Sequence, residues 1–256
     1  MIEIKTPAEI ALMREAGRVV ANALAAMKDA ARIGITMQEL DVVGAGVLKD
    51  AGATSPFLNY HPDWAPSPFP ASICASVNDA VVHGIPTAAP LEDGDLVSID
   101  FGAILNGWAG DAAISFTVGT PRDEDLALID TTERALAAGI AAARPGKKIG
   151  AIGQAVAGVA RAEGYGILAD HGGHGIGRTM HEDPHIPNDA RAGRGLKMRP
   201  GLVIAIEPML HAGGSDDYTH DRDGWTLRTS DGSRAAHVEH TVAVTDDGPR
   251  ILTAPR

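Results

Sequence analysis

The chain has 256 residues, of which 45% are hydrophobic and 21% charged, and carries a net charge of −11 at pH 7. A chain of this length buries about 75% of its unfolded surface, so one large domain or two intimate halves are expected and disorder is not. The acidic balance argues against electrostatic binding to bulk nucleic acid or anionic membrane, and a single cysteine, Cys74, excludes an internal disulfide and any CxxC zinc site.

Glu3 and Lys5 stand within the first five residues, so no signal peptide is expected, and no later apolar run approaches the ~20 residues of a membrane span. A soluble cytoplasmic protein is the expectation. Thr6-Pro7-Ala8-Glu9 reads as a capping box with proline at the first helical position. Ile10, Met13, Gly17, Val20, Leu24 and Met27 then form one apolar stripe at steps of three and four. Thr36-Met37-Gln38-Glu39 opens a second helix by the same device, and Gly52 is placed to end it. From Ser55 to Arg122 short β-branched runs are broken by Pro, Gly and Asn, which predicts strands and turns. The order then repeats. Asp123 to Ala143 reads as helix, Arg144-Pro145-Gly146 breaks it, Ile149 to Glu163 is helical again, and strands return from Gly166. Ala30-Ala31-Arg32-Ile33-Gly34 is echoed by Ala142-Ala143-Arg144-Pro145-Gly146, a register that sets Leu40 against Ile152 and Gly52 against Gly164. The pattern predicts a single domain over residues 1–256, built of two similar halves with helices outside a β layer.

Val97, Ile99 and Phe101 lead to Asn106-Gly107, a strong hairpin signal. A two-residue turn there sets Asp100 opposite Ala113, with Asp111 a diagonal neighbour on the same face. Two such carboxylates are either a solvated pair or a pair holding a cation or proton between them. Four histidines, His171, His174, His181 and His185, follow within fifteen residues, beside a Gly172–Gly177 stretch too glycine-rich for a helix. His181-Glu182-Asp183-Pro184-His185 also matches HExxH, with Glu207 at a distance where a third zinc ligand could stand. That zincin reading needs a helix, and Pro184 and Pro187 work against one. Glu207 ends the apolar run 201–206, and Glu239 stands among β formers. A buried unpaired carboxylate costs several kcal/mol or gives up its charge, so two of them beside the aspartate hairpin and the histidine loop point to metal. Asp100, Asp111, His174, Glu207 and Glu239 make an oxygen-rich set suited to Mn(II), Fe(II) or Co(II), with Zn(II) also admissible. Four negative charges neutralise two divalent ions, the arrangement of a hydrolase that acidifies a bound water.

In order along the chain stand Asn78-Asp79-Ala80-Val81-Val82-His83-Gly84-Ile85-Pro86, Ile99-Asp100-Phe101-Gly102, Gly110-Asp111, Gly173-His174-Gly175-Ile176-Gly177, His181-Glu182-Asp183-Pro184, Ile206-Glu207-Pro208-Met209 and Glu239-His240-Thr241. This ordered set, from about Ile4 to Thr253, resembles the type I methionine aminopeptidases of the short form. The resemblance implies the α/β pita-bread fold, with two pseudo-symmetric halves and an antiparallel sheet covered by outer helices. It implies that Asp100 chelates one metal, His174 and Glu207 the other, and that Asp111 and Glu239 bridge both. His83 and His181 would be non-ligand histidines at the scissile amide, and Glu207 a proton shuttle as well. Phe57, Tyr60, Phe69, Cys74, Met180 and Trp225 match the methionine pocket, with Cys74 a wall and not a nucleophile. The implied cofactors are two divalent ions, Co, Mn, Fe or Zn, with room for a monovalent cation. The implied activity is removal of the initiator methionine from nascent chains whose second residue is small, by a monomer that could meet those chains at the ribosome. X-Pro aminopeptidases or prolidases share the ligand set, and a non-catalytic peptide-binding relative is the further alternative.

The chain departs from the family pattern in three places. Residues 61–68 are extra between Tyr60-His61 and Phe69-Pro70, and Met180 occupies a position that is often aromatic. Gly213 to Asp223 carries Asp216, Asp217, Asp221 and Asp223 against Arg222, while Arg191, Arg194, Lys197 and Arg199 read as a solvated basic run.

Overall fold

The computed structural model describes residues 2–254; the reading of one domain over 1–256 includes Met1, Pro255 and Arg256, which lie outside the described residues. Helix α1 (Pro7–Ala30) begins at the expected capping box: the Glu9 N–H donates to Thr6 Oγ1 at 3.3 Å and the Thr6 N–H donates to Glu9 Oε2 at 2.8 Å. The stripe from Ile10 to Met27 is its buried face. Helix α2 (Met37–Ala51) repeats the device at Thr36 and Glu39 and stops on Gly52, whose φ of 66° suits a residue without a Cβ. Strands β1 (Ile73–Val77), β2 (Ala80–Val82), β3 (Leu96–Leu105) and β4 (Trp108–Thr117) follow, the last two joined at Asn106-Gly107. Helices α3 (Asp123–Ala142) and α4 (Gly150–Ala162) then repeat the opening. After them come β5 (Gly166–Ile167), β6 (Gly172–Gly175), β7 (Glu182–Pro187), β8 (Val203–Ile206), β9 (Met209–His211), β10 (Tyr218–His220), β11 (Leu227–Thr229), β12 (Ala235–His237), β13 (Glu239–Thr245) and β14 (Gly248–Ile251).

The main sheet runs β1-β3-β4-β13-β8-β6-β7, with β14 on β13, and every pairing is antiparallel. Its midline is the β4–β13 seam. On one side the helices α1 and α2 share a core with β1, β3 and β4 around Val20, Leu40, Ile99 and Phe101. On the other, α3 and α4 share a core with β7, β8 and β13 around Ile152, Ile186, Ile204 and Val242. Leu40 and Ile152 therefore occupy matching places, and the left-handed glycines Gly34 and Gly52 (φ 88° and 66°) recur as Gly146 and Gly164 (φ 83° and 79°). The two halves foreseen from the faint repeat are real. Two three-stranded sheets, β10-β11-β2 and β12-β9-β5, flank the main one.

Helix α1 lies directly on β4, because a Cβ on Gly110 would meet the Gly17 backbone nitrogen at 2.9 Å. Close approach of this kind seats the carboxylate-bearing strand against a rigid element. Among the described residues no helix is long and apolar enough to cross a membrane.

Candidate metal centre

The register of the main sheet assembles the site. Cys74 pairs with Asp100, Asp100 with Ala113, and Ala113 with Glu239. Since His240 pairs with Ile206, Glu207 comes opposite Glu239 one step further on. The next row along the same face holds Gly102 opposite Asp111, then Thr241 opposite Ala205. Thr241 clamps β4 here: its Oγ1 accepts from the Asp111 N–H at 3.0 Å and donates to the Asp111 carbonyl at 2.7 Å. Gly175 pairs with Ile204, which brings His174 alongside Ala205. Side chains alternate between faces along a strand, so Asp100, Asp111, His174, Glu207 and Glu239 all point to one side. The positions between them on this face are Gly102, Ala113, Ala205 and Thr241, the last with its hydroxyl held by the Asp111 backbone, and their small side chains leave a hollow.

That hollow is crowded with unsatisfied charge. Asp111 and Glu239 are 3% and 1% exposed, and Asp100 Oδ1, Asp111 Oδ1 and Glu239 Oε1 are buried without a hydrogen-bond partner. Among the described residues the basic groups facing these carboxylates are imidazoles. His174 Nε2 lies 3.9 Å from Asp111 Oδ2 and 3.6 Å from Glu207 Oε1. Its Nδ1 donates to the Gly175 carbonyl at 2.9 Å, which leaves Nε2 as the free lone pair aimed at the acids. Burial, reinforced by neighbouring negative charge, pushes the carboxyls of Asp100, Glu207 and Glu239 well above the usual carboxylate range. Asp111 is pushed up by burial to about 7. Burial also holds His83 and His174 down at about 3, so both are neutral imidazoles at neutral pH.

Orphaned buried oxygens with a converging imidazole lone pair fit a divalent cation. Asp111, His174 and Glu239 each offer a ligand atom within 4.8 Å of the others, and so do Glu207, His237 and Glu239. Four carboxylates compensate the charge of two such ions, which removes the cost of burying them bare.

The face forms the floor of a cavity of about 410 Å³. Every residue singled out from the sequence lines it: the five above, His83, His181, and the apolar wall of Phe57, Tyr60, Phe69, Cys74, Met180 and Trp225. Phe57, Phe69, Cys74, Met180 and Trp225 also pack as one buried cluster. His83 follows β2 with φ 58°, a left-handed conformation that a non-glycine residue adopts at a cost of about 1–3 kcal/mol and that aims its ring at the cavity. The His181 ring stands 4.3 Å from that of His174 and 5.6 Å from that of Tyr60, centre to centre. Burial, with Asp100 and Asp111 nearby, pushes the Cys74 thiol well up, so it remains a thiol.

The zincin reading fails as Pro184 and Pro187 argue: residues 182–187 are strand β7, and four extended residues span about 13 Å, so His181 and His185 do not share a helical zinc site. The acidic stretch 213–223 is not free charge, since Asp216 pairs with Arg161 at 2.6 Å and Asp221 with Arg228 at 2.7 Å. His61 accompanies Tyr60 in sequence only: its Nε2 meets the Ala65 carbonyl at 3.2 Å within its own loop. Trp64 and Met209 line the cavity unforeseen, and His237 reaches the metal floor. The signal for His237 was its place two residues before Glu239, on the same face of one extended segment.

The model of metallopeptidase family M24 matches residues 11–246. Methionine aminopeptidase 1 of Mycobacterium tuberculosis (strain CDC 1551 / Oshkosh) is 51% identical over 256 residues, covering 97% of this chain and 94% of the relative. The crystal structure of methionine aminopeptidase from Rickettsia prowazekii superposes with a TM-score of 0.94 at 38% identity, over 99% of this chain and 100% of that one. Prolidase from Pyrococcus furiosus shares the fold at a TM-score of 0.76 and 23% identity, over 99% of this chain and 66% of that one. Sequence, architecture and the set of buried acids agree: the chain belongs to the methionine aminopeptidases of metallopeptidase family M24.

Proposed function

We propose that residues 1–256 act as one catalytic domain that removes the amino-terminal methionine from polypeptides whose second residue is small. One observation carries the reading: five converging donors, three of them with a buried, orphaned oxygen, floor a cavity with an apolar aromatic wall. Asp100 would hold one divalent ion and His174 with Glu207 the other, while Asp111 and Glu239 would serve both. When bound, two such ions lower the pKa of a water toward ~7 and polarise the scissile carbonyl. The oxygen-rich set suits Mn(II), Fe(II) or Co(II), with Zn(II) also admissible.

The protein's own groups do the rest. Phe57, Tyr60, Phe69, Met180 and Trp225 enclose an unbranched thioether side chain, whose polarisable sulfur suits aromatic edges. His83 and His181, held neutral or nearly so by burial, present N–H groups to the amide without adding charge to an already crowded site. Glu207, whose carboxyl burial raises, is suited to taking a proton from the attacking water and passing it to the leaving amine. The substrate is the end of a polypeptide in the cytoplasm, and the enzyme acts as a monomer.

The test is hydrolysis of Met-Ala-Ser, Met-Lys-Ser and Ala-Pro-Ala by dialysed protein, before and after adding Co(II) or Mn(II). Metal-dependent methionine release from Met-Ala-Ser alone is expected. Cleavage of Ala-Pro-Ala in its place would assign the chain to the X-Pro enzymes. Silence on all three, with no metal retained, would leave a non-catalytic binding protein.

A further inference from the structure

His237 has no place in the five-residue set, yet it is built into the same floor. It is 1% exposed, and its Nε2 is buried without a hydrogen-bond partner. That nitrogen lies 3.6 Å from Glu207 Oε2 and 3.9 Å from Glu239 Oε2. The register explains why. His240 pairs with Ile206 in β13 and β8, and His237 pairs with Met209 in β12 and β9, so one alignment runs through Val238 and Pro208. His237 is then the diagonal neighbour of Glu207, within reach of its carboxylate.

The backbone that carries the ring is anchored from the other half of the molecule. The His237 backbone N–H donates to Ser115 Oγ at 3.0 Å, and Ser115 Oγ donates to the His237 carbonyl at 2.8 Å. Ser98 Oγ reaches the same N–H at 3.3 Å and Ser115 Oγ at 2.8 Å. These serines sit on β3 and β4, the strands that carry Asp100 and Asp111. Glu207 is thereby placed between two imidazoles: Oε1 faces His174 Nε2 at 3.6 Å and Oε2 faces His237 Nε2 at 3.6 Å.

A carboxylate that gives one oxygen to an ion keeps lone pairs on the other, and a buried lone pair left unmet costs about 1–3 kcal/mol. Outer hydrogen bonds to ligating carboxylates fix their rotation and are worth about 10–100-fold in metal affinity. We propose that His237 is a positioning residue of the metal centre, its Nε2–H donating to Glu207 Oε2 while Glu207 Oε1 and His174 hold the ion. This rests on the metal reading of the five residues. It requires the ring and carboxylate to close by a few tenths of an ångström.

The experiment titrates metal-free protein with Co(II), reading the visible absorption bands and affinity, for the wild type, His237→Gln, His237→Ala, His237→Leu and Asp111→Asn. Gln keeps an N–H donor, and it is expected to bind Co(II) within about threefold of wild type with unchanged bands. Ala is expected to lose about 10–100-fold in affinity with the bands kept, since no ligand is lost. Leu fills the space that Ala empties and is expected to match Ala, which separates a lost donor from a poorly packed fold. Wild-type affinity in both Ala and Leu overturns the proposal. Bands that shift in Gln overturn it too, because they make His237 a direct ligand. Asp111→Asn tells the two levels apart: if it keeps full metal, the five-residue reading itself fails.

Discussion

Asp111 stands where the two rows of the site meet, clamped through its backbone by Thr241 and with one oxygen orphaned in the interior. Replacing its carboxylate with an amide of the same shape removes a charge from both ions. Asp111→Asn is therefore expected to lose metal affinity beyond the roughly 10–100-fold of an outer-shell change. Metal analysis after dialysis checks this, and full occupancy would contradict it. His181 differs: its ring lies against His174 but offers no atom to the acid cluster. His181→Ala is expected to retain metal and lose about 100–1,000-fold in kcat, the usual consequence of removing one transition-state donor. Near-normal turnover by a fully loaded His181→Ala would contradict it. The aspartates were legible from sequence because a two-residue turn fixes their register locally. Glu207 and Glu239 were legible only as buried acids in apolar strands. What faces them depends on pairings between distant strands, which is why His237 escaped notice.

At the scale of elements, the capping boxes at Thr6 and Thr36 and the Asn106-Gly107 turn carried their own signals, and each formed as read. Segment 182–187 also formed the strand that its prolines argue for, although the spacing of its histidines matches a helical motif. The extra residues 61–68 were visible as an insertion, but the shape of a proline-rich loop is set by what it packs on. It packs on Trp225. The Trp225 Nε1–H donates to the Ser67 carbonyl at 3.1 Å, and the Trp64 ring meets that of Trp225 edge-on, 5.0 Å centre to centre, while remaining 60% exposed. Phe69 takes another side of Trp225 at 5.1 Å. The loop thus adds an outer aromatic rim to the cavity wall. Trp64→Ala is expected to lower kcat/KM on methionyl peptides about 3–10-fold, chiefly through KM, in line with the ~0.5–1.5 kcal/mol of an aromatic pair. Peptide kinetics decide it, and unchanged KM would make the loop a bystander.

Across the whole molecule the site spans the seam between the halves: Asp100 and Asp111 come from β3 and β4, and His174, Glu207 and Glu239 from the other side. Ions held there tie the halves together, so metal stabilises the fold by mass action, about 2.7 kcal/mol at a hundredfold excess over Kd. The pH dependence of that gain follows from the acids. In the metal-free protein their carboxyls are raised, Asp111 to about 7 and Asp100, Glu207 and Glu239 well above the usual range. A raised folded-state pKa means stability that is present at low pH and lost as pH rises from the ordinary carboxylate range through the folded value. Metal replaces those protons, so the loaded protein escapes the loss. The buried histidines work the other way, costing stability as pH falls below 6.5, but His83, His237 and His240 stay neutral in both forms and cancel in the difference. The gap in thermal stability between Co(II)-loaded and metal-free protein is therefore expected to widen from pH 5.5 to pH 7.5. The growth is about 1.4 kcal/mol per pH unit for each proton displaced. Thermal melts of dialysed and loaded protein at three pH values measure it. A gap that stays constant or narrows would mean that the acids are already ionised without metal, and that something other than a cation holds their charge.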